Sequence, residues 1–120
     1  MNHYQMGEIE SRFAEIIWAN EPISSTELAK ISAREFEWKK STTYTVLKRL
    51  CEKGIFKNEK GCVTSLVSRE ELYAVNSERF VEENFKGSLP AFLAAFSSRK
   101  RLSESEIQEL RKLIEEHENE

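Results

Sequence analysis

Apolar side chains recur along this chain at helical spacing, switch once to a strand-like run, and then return to helical spacing. Residues 7–20 set Ile9, Phe13, Ile16, Ile17 and Trp18 largely on one face, which predicts a first helix ended near Asn20-Glu21-Pro22. Pro22-Ile23-Ser24 reads as a short extended piece. Ser24 or Ser25 then caps a second helix running through Ile31, with Glu27 spaced for a capping box from Ser24. Between Lys39 and Gly54 the stripe is Thr43, Val46, Leu47 and Leu50, with Ser41 as the expected N-cap and Gly54 as the stop. From Ile55 to Val67 the pattern fits two strands around a tight turn near Lys60-Gly61. Residues 69–87 are helical again through Leu72, Tyr73, Val75, Phe80, Val81 and Phe85, ending at Gly87. A helix follows with Pro90 in its first turn, where proline is tolerated. A last helix opens at the box Ser103-Glu104-Ser105-Glu106 and carries Ile107, Leu110, Leu113 and Ile114 in a stripe.

Three helices and a hairpin in that order predict a mainly α chain: a winged helix-turn-helix over residues 1–68 with a small two-stranded wing, then a helical region over 69–120. In such a head the third helix enters the major groove and the hairpin touches the flanking backbone. The helical tail has little means of burying Phe80, Phe85, Phe92 and Phe96, with Leu110 and Leu113, by itself. Completion of its core against a second copy is expected, the alternative being packing onto the head.

Composition changes the picture at one point. The net charge of −3 hides a segregation of sign. Residues 39–60 hold seven basic side chains and two acidic ones, whereas residues 69–120 hold eight basic and twelve acidic. A local basic field on an acidic chain suits selective phosphate binding and discourages indiscriminate coating of nucleic acid. Within that field the expected DNA-binding set is Lys39, Lys40, Ser41, Thr42, Tyr44, Thr45 and Arg49 on the third helix, with Lys57 and Lys60 on the hairpin. Short hydroxyl side chains approach base edges, and basic ones hold phosphates. A solvated amphipathic helix is the ordinary alternative for such a stretch.

Other chemistry finds little footing. The chain has no Asp, two His and four Gly, and it shows no phosphate loop, nucleophile elbow or metal-binding His-Glu motif, so no enzyme is expected. Cys51, Cys62, His3 and His117 are scattered without ligand spacing, so neither a metal nor another cofactor is expected. Cys51 lies in a basic helix where its pKa could be lowered, which leaves a thiol-based redox regulator open; a small half-buried residue is the plainer alternative. A protein-interaction adaptor that uses the winged helix without DNA is the third reading. No apolar run is long enough to insert in a membrane, the N-terminus shows no secretory pattern, and the two cysteines suit a reducing compartment; a cytoplasmic location is expected.

Trp18, Trp38, the run Thr42-Thr43-Tyr44-Thr45-Val46-Leu47-Lys48-Arg49-Leu50, Lys53-Gly54-Ile55 and the ending Leu102-Ser103-Glu104-Ser105-Glu106-Ile107-Gln108-Glu109-Leu110-Arg111 together resemble the penicillinase-repressor family, of the BlaI, MecI and CopY type. The resemblance spans nearly the whole chain. It implies a homodimeric repressor on palindromic operators in double-stranded DNA, upstream of resistance (beta-lactam-type) or stress genes. By the same resemblance Ser41, Thr42, Tyr44 and Thr45 would face the groove, while Lys40 and Arg49 would hold phosphate. Members are inactivated by copper, or by cleavage prompted by a membrane sensor-protease, directly or through a downstream protease. The cleaved bond of beta-lactam-responsive members joins Asn to Phe; Ala95 and Phe96 stand there in this chain, so the Phe is kept and the Asn is not. The Cys-x-Cys ending of copper-responsive members does not follow Phe96.

Overall fold

A computed structural model describes residues 4–120 and gives six helices and three short strands among them. The elements are α1 (Glu8–Asn20), β1 (Ile23–Ser24), α2 (Ser25–Phe36), α3 (Lys40–Glu52), β2 (Phe56–Glu59), β3 (Cys62–Ser65), α4 (Arg69–Phe85), α5 (Leu89–Arg99) and α6 (Glu104–Glu118). This is the winged helix-turn-helix order followed by a helical region.

The chain forms two units, one running through Glu78 and the other from Arg79 to Glu120. In the first, Phe13, Ile17, Leu28, Leu47, Leu50, Ile55, Phe56, Val63 and Leu72 are buried outright, so all three head helices, the sheet and the start of α4 feed one core. Trp18 bridges it to the hairpin exit: its indole N–H donates to the Val67 carbonyl at 3.0 Å while its ring packs on Phe56. Ile9, expected on the inner face of α1, is instead exposed. It lies a full turn before Phe13, on the first turn of the helix.

The wing departs from expectation by one strand. The sheet is antiparallel in the order β1-β3-β2, so the short piece Ile23–Ser24 pairs with Val63 and Cys62 rather than standing alone. Strand β2 runs beside β3 with Glu59 opposite Cys62, leaving Lys60 and Gly61 as a two-residue turn, both at positive φ. That backbone matches the twist of an antiparallel hairpin, and the left-handed angle at Gly61 carries no side-chain penalty. The Asn58 side chain accepts from the Gly61 N–H at 3.1 Å, and the Gly61 carbonyl accepts from the Ser25 N–H at 2.8 Å. The wing tip is thereby tied to the start of α2.

The second unit contains α5, α6 and the end of α4. Ser88 and Ser103 cap α5 and α6 as their sequences require, and Ser103 forms the full box with Glu106. Phe80, Phe85, Phe92 and Phe96 form a chain of ring contacts at 5.6–6.2 Å, yet none of them is buried. A groove of about 330 Å³ runs between α5 and α6, lined by Phe92, Leu93, Phe96, Leu102, Leu110 and Leu113 together with Glu106 and Glu109. Leu113 and Ile114 stand 62 % and 57 % exposed on α6. No described helix is long and apolar enough to cross a membrane.

Candidate nucleic-acid interface

The interface is built on the α2–turn–α3 pair. Ser24 caps α2, its hydroxyl accepting the Glu27 N–H at 3.0 Å; the expected return bond from the Glu27 side chain is not formed. The helix runs on past Ile31 to Phe36 and stops at Glu37, which takes the left-handed conformation and donates its N–H to the carbonyls of Ala33 and Ser32. Trp38 then anchors the turn against Phe36 at 4.8 Å and Phe13 at 5.5 Å. Arg12 on α1 covers the other Phe36 neighbourhood with its guanidinium 5.1 Å from the ring centre. A turn pinned by three aromatic rings fixes the direction in which α3 leaves.

That anchor moves the start of α3. Lys39, not Ser41, is the N-cap: its backbone is extended, and its carbonyl accepts from Thr42 and Thr43 at 3.0 and 3.2 Å, with no side-chain cap. Ser41 is already inside the first turn. The packing of Trp38 sets where the chain turns, and this overrides the local capping preference of serine.

The faces of α3 sort as expected. Thr43, Val46, Leu47 and Leu50 are buried, while Lys40, Ser41, Thr42, Tyr44, Thr45, Lys48 and Arg49 are exposed. The Thr45 hydroxyl donates to the Ser41 carbonyl at 2.8 Å, so its donor is spent within the helix and its methyl is left to the outer face. Lys39, Lys40, Lys48 and Lys60 have no carboxylate within ion-pair reach among the described residues. The remaining cations are partnered. Lys57 lies 3.3 Å from Glu59, and Arg49 and Lys53 lie 3.7 and 3.5 Å from one carboxylate oxygen of Glu10.

A cleft of about 360 Å³ opens between the start of α2, the outer side of α3 and the hairpin, lined by Ser25, Tyr44, Leu47, Lys48, Cys51 and Asn58. Lys48 lies one turn beyond Tyr44 on α3, where helical period puts it; Ser25 and Asn58 are absent from the residues expected from sequence. Their place beside Tyr44 is created by the wing folding back onto α2, a long-range contact with no local signature. Cys51 sits half-buried in this cleft, and burial followed by the neighbouring Glu52 pushes its thiol above the ordinary range. This corrects the expectation of a lowered pKa. Burial and the adjacent carboxylate both disfavour a thiolate at Cys51, although Lys48 lines the same cleft. Among the described residues no three His, Cys or Glu side chains come together as a metal site; His3 lies outside the described residues.

Ala95 and Phe96 are both exposed on α5. Their peptide bond lies inside the helix, with the Ala95 carbonyl accepting the Ser98 hydroxyl at 2.7 Å and the Phe96 carbonyl accepting the Lys100 N–H at 3.0 Å.

Comparison with known proteins agrees with this architecture. The sequence profile described as penicillinase repressor matches residues 6–116. The penicillinase repressor of Bacillus licheniformis is 29 % identical over 119 residues, covering 96 % of this chain and 93 % of that protein. The methicillin resistance regulatory protein MecI of Staphylococcus aureus strain Mu50 is 26 % identical over 115 residues, covering 92 % of this chain and 94 % of its own length. MecI of Mammaliicoccus sciuri is 25 % identical over the same length. A winged helix-turn-helix head and a family profile that spans almost the whole chain lead to one conclusion: the protein belongs to the penicillinase-repressor family.

Proposed function

We propose that this chain is a homodimeric transcriptional repressor that binds a palindromic operator in double-stranded DNA. One head of each protomer would set α3 into a major groove, with Ser41, Thr42, Tyr44 and Thr45 toward base edges and Lys39, Lys40 and Arg49 on phosphates. Lys57 and Lys60 on the wing would hold the flanking backbone. The observation that carries this reading is the sorting of α3: every buried side chain is on one stripe, and the outer face keeps short hydroxyls beside Lys40 and Lys48, which have no carboxylate within ion-pair reach among the described residues. Burial of the former fixes the helix to the head, and the latter are the groups that read bases and hold phosphate. The relatives' names, penicillinase repressor and methicillin resistance regulatory protein, support resistance or stress genes as the regulated class. A repressor acting on operator DNA would work in the cytoplasm.

Self-association would run through the second unit, where Phe80, Phe85, Phe92, Phe96, Leu110 and Leu113 leave an apolar surface that water does not favour. Two linked heads gain effective concentration on adjacent half-sites. The family resemblance points to the bond between Ala95 and Phe96 in α5 as the place where a membrane sensor-protease, or a protease acting after it, would cut to relieve repression, and this chain is expected to be a poor substrate there. Because that bond is helical, the segment must open locally before a protease can cut it, and Ala95 offers no side-chain amide for recognition.

Selection of bound duplexes from a random pool tests the operator reading. The expected yield is an inverted repeat whose half-sites lie about one helical turn, or a small multiple, apart. Recovery of no common sequence at any salt concentration would refute it. Mapping of fragments after incubation with membranes of induced cells tests the second part: poor cutting at 95–96 is the expected result, and efficient cutting there would show that the amide is dispensable.

A further inference from the structure

Among the described residues, Glu10 is the one acidic side chain paired with two cations, Arg49 on α3 and Lys53 at its C-cap. It sits in the first turn of α1, and its Oε1 accepts the Gly7 N–H at 3.3 Å, closing that helix end. Its Oε2 faces Arg49 Nη1 at 3.7 Å and Lys53 Nζ at 3.5 Å, and this oxygen is shut off from solvent with no hydrogen-bond donor of its own. The two cations are not equivalent. Lys53 is 23 % exposed and donates to the Gln5 carbonyl at 2.8 Å, so it is fixed to the segment that precedes α1. Arg49 is 53 % exposed, meets the carboxylate with one nitrogen only, and stands one helical turn beyond Thr45 on the outer face.

We propose that Glu10 is an internal competitor of DNA phosphate, and that it sets how tightly the head holds any duplex irrespective of sequence. The inference rests on the DNA-binding reading. A single-ended, half-exposed contact at this distance is weak, so Arg49 can exchange the carboxylate for a phosphate at little cost. The carboxylate stays behind after the exchange, its charge only partly offset by Lys53 at 3.5 Å. It remains within a Debye length of about 8 Å of Arg49 and lowers the potential met by a phosphate seated on that side chain. Sequence-independent affinity falls, base contacts are untouched, and the ratio of specific to non-specific binding rises. The basic count of the 39–60 segment therefore overstates the charge that DNA meets, and the correction comes from an element some forty residues away in sequence.

The test compares the whole protein with Glu10→Gln, Arg49→Ala, Lys40→Ala and Glu10→Gln/Arg49→Ala on a random-sequence duplex between 50 and 200 mM salt. Gln retains an oxygen for the Gly7 N–H. Glu10→Gln is expected to bind roughly three- to ten-fold tighter at the low-salt end, with a salt slope steeper by up to about one unit. The gain should shrink when Arg49 is also absent, and Arg49→Ala alone should lose less slope than Lys40→Ala, whose charge has no carboxylate beside it. If Lys40→Ala weakens binding while Glu10→Gln leaves it unchanged or weaker, Glu10 does not compete and the proposal fails. If Lys40→Ala has no effect either, the DNA-binding reading itself falls and takes the proposal with it. Should Glu10→Gln melt early, the comparison of Arg49→Ala with Lys40→Ala decides alone, since both side chains are exposed.

Discussion

At the residue scale, Thr45 shows how a buried-versus-exposed pattern and a hydrogen bond together narrow a role. Its hydroxyl donates to the Ser41 carbonyl, so what it offers to a groove is chiefly a methyl group. A methyl at this position suits contact with the methyl of a thymine. Replacing Thr45 by Val keeps that methyl and should leave operator affinity close to that of the parent. Replacing it by Ser removes the methyl and should cost about 0.8 kcal/mol, the worth of one buried carbon group. Titration of both variants on the selected operator checks the order; Ser binding better than Val would reverse the assignment and make the hydroxyl the reader. The exposure of Thr45, Thr42 and Tyr44 was legible from helical period alone, because Thr43, Val46, Leu47 and Leu50 fix the phase. The engagement of the Thr45 hydroxyl and the raised thiol of Cys51 were not. Both depend on which atom lies nearby, and period gives only the face.

At the element scale, two helix junctions carry titratable groups whose partners are visible. In α6 the Glu106 carboxylate accepts the Ser103 N–H at 2.9 Å while the Ser103 hydroxyl accepts the Glu106 N–H at 3.0 Å. The bonds from Ser103 hold Glu106 below the ordinary carboxylate range. A depressed folded-state pKa means that this contribution is present above the unfolded value of about 4.3 and is lost as pH falls through the lower folded one. Helicity measured by circular dichroism should therefore be lower in Glu106→Gln than in the parent at neutral pH and fall less on acidification, and Ser103→Ala should cost about 1 kcal/mol of helix stability. At the start of α4, Glu15 accepts from Arg69 at 2.7 Å and from the Tyr73 hydroxyl at 3.1 Å, and Arg69 lies 4.8 Å over the Tyr73 ring. Burial first, and the bond to Glu15 second, push the Tyr73 phenol above its ordinary range. A raised pKa in the folded state means the stabilisation is complete below about pH 10 and is lost as pH rises through the folded value. Absorbance titration of the parent against Tyr73→Phe should show that the component lost in the variant ionises late, and in Glu15→Gln that component should move only part of the way back because burial remains. A lost component that ionises in the ordinary range would remove this junction as a staple between α1 and α4.

At the scale of the whole molecule, the first unit encloses its core, whereas the second spreads four linked phenylalanine rings and the α5–α6 groove over its surface. Phe96→Glu combined with Leu113→Glu should convert the proposed dimer to a monomer by light scattering. Operator binding should then weaken by about 10²–10⁴-fold, as expected when two tethered heads become independent. Binding to a single half-site should be unchanged, since α3 is not altered. A variant that remains dimeric would place the interface elsewhere in the chain.

Hydrophobic period, caps and turn residues by themselves determined the order of helices and hairpin, the phase of α3, the boundaries at Gly54, Gly87, Ser88 and Ser103, and the turn at Lys60-Gly61. These are local outcomes, set by side chains within a few residues of one another. Tertiary structure alone decided the rest. It moved the cap of α3 from Ser41 to Lys39 through the packing of Trp38, recruited Ile23–Ser24 as a third strand, and drew Ser25 and Asn58 to the flank of Tyr44. It also brought Glu10 against Arg49 and Lys53. Each of these joins residues far apart in the chain. Charge and chemistry at such a contact depend on a distance that folding creates and that no spacing in the sequence encodes.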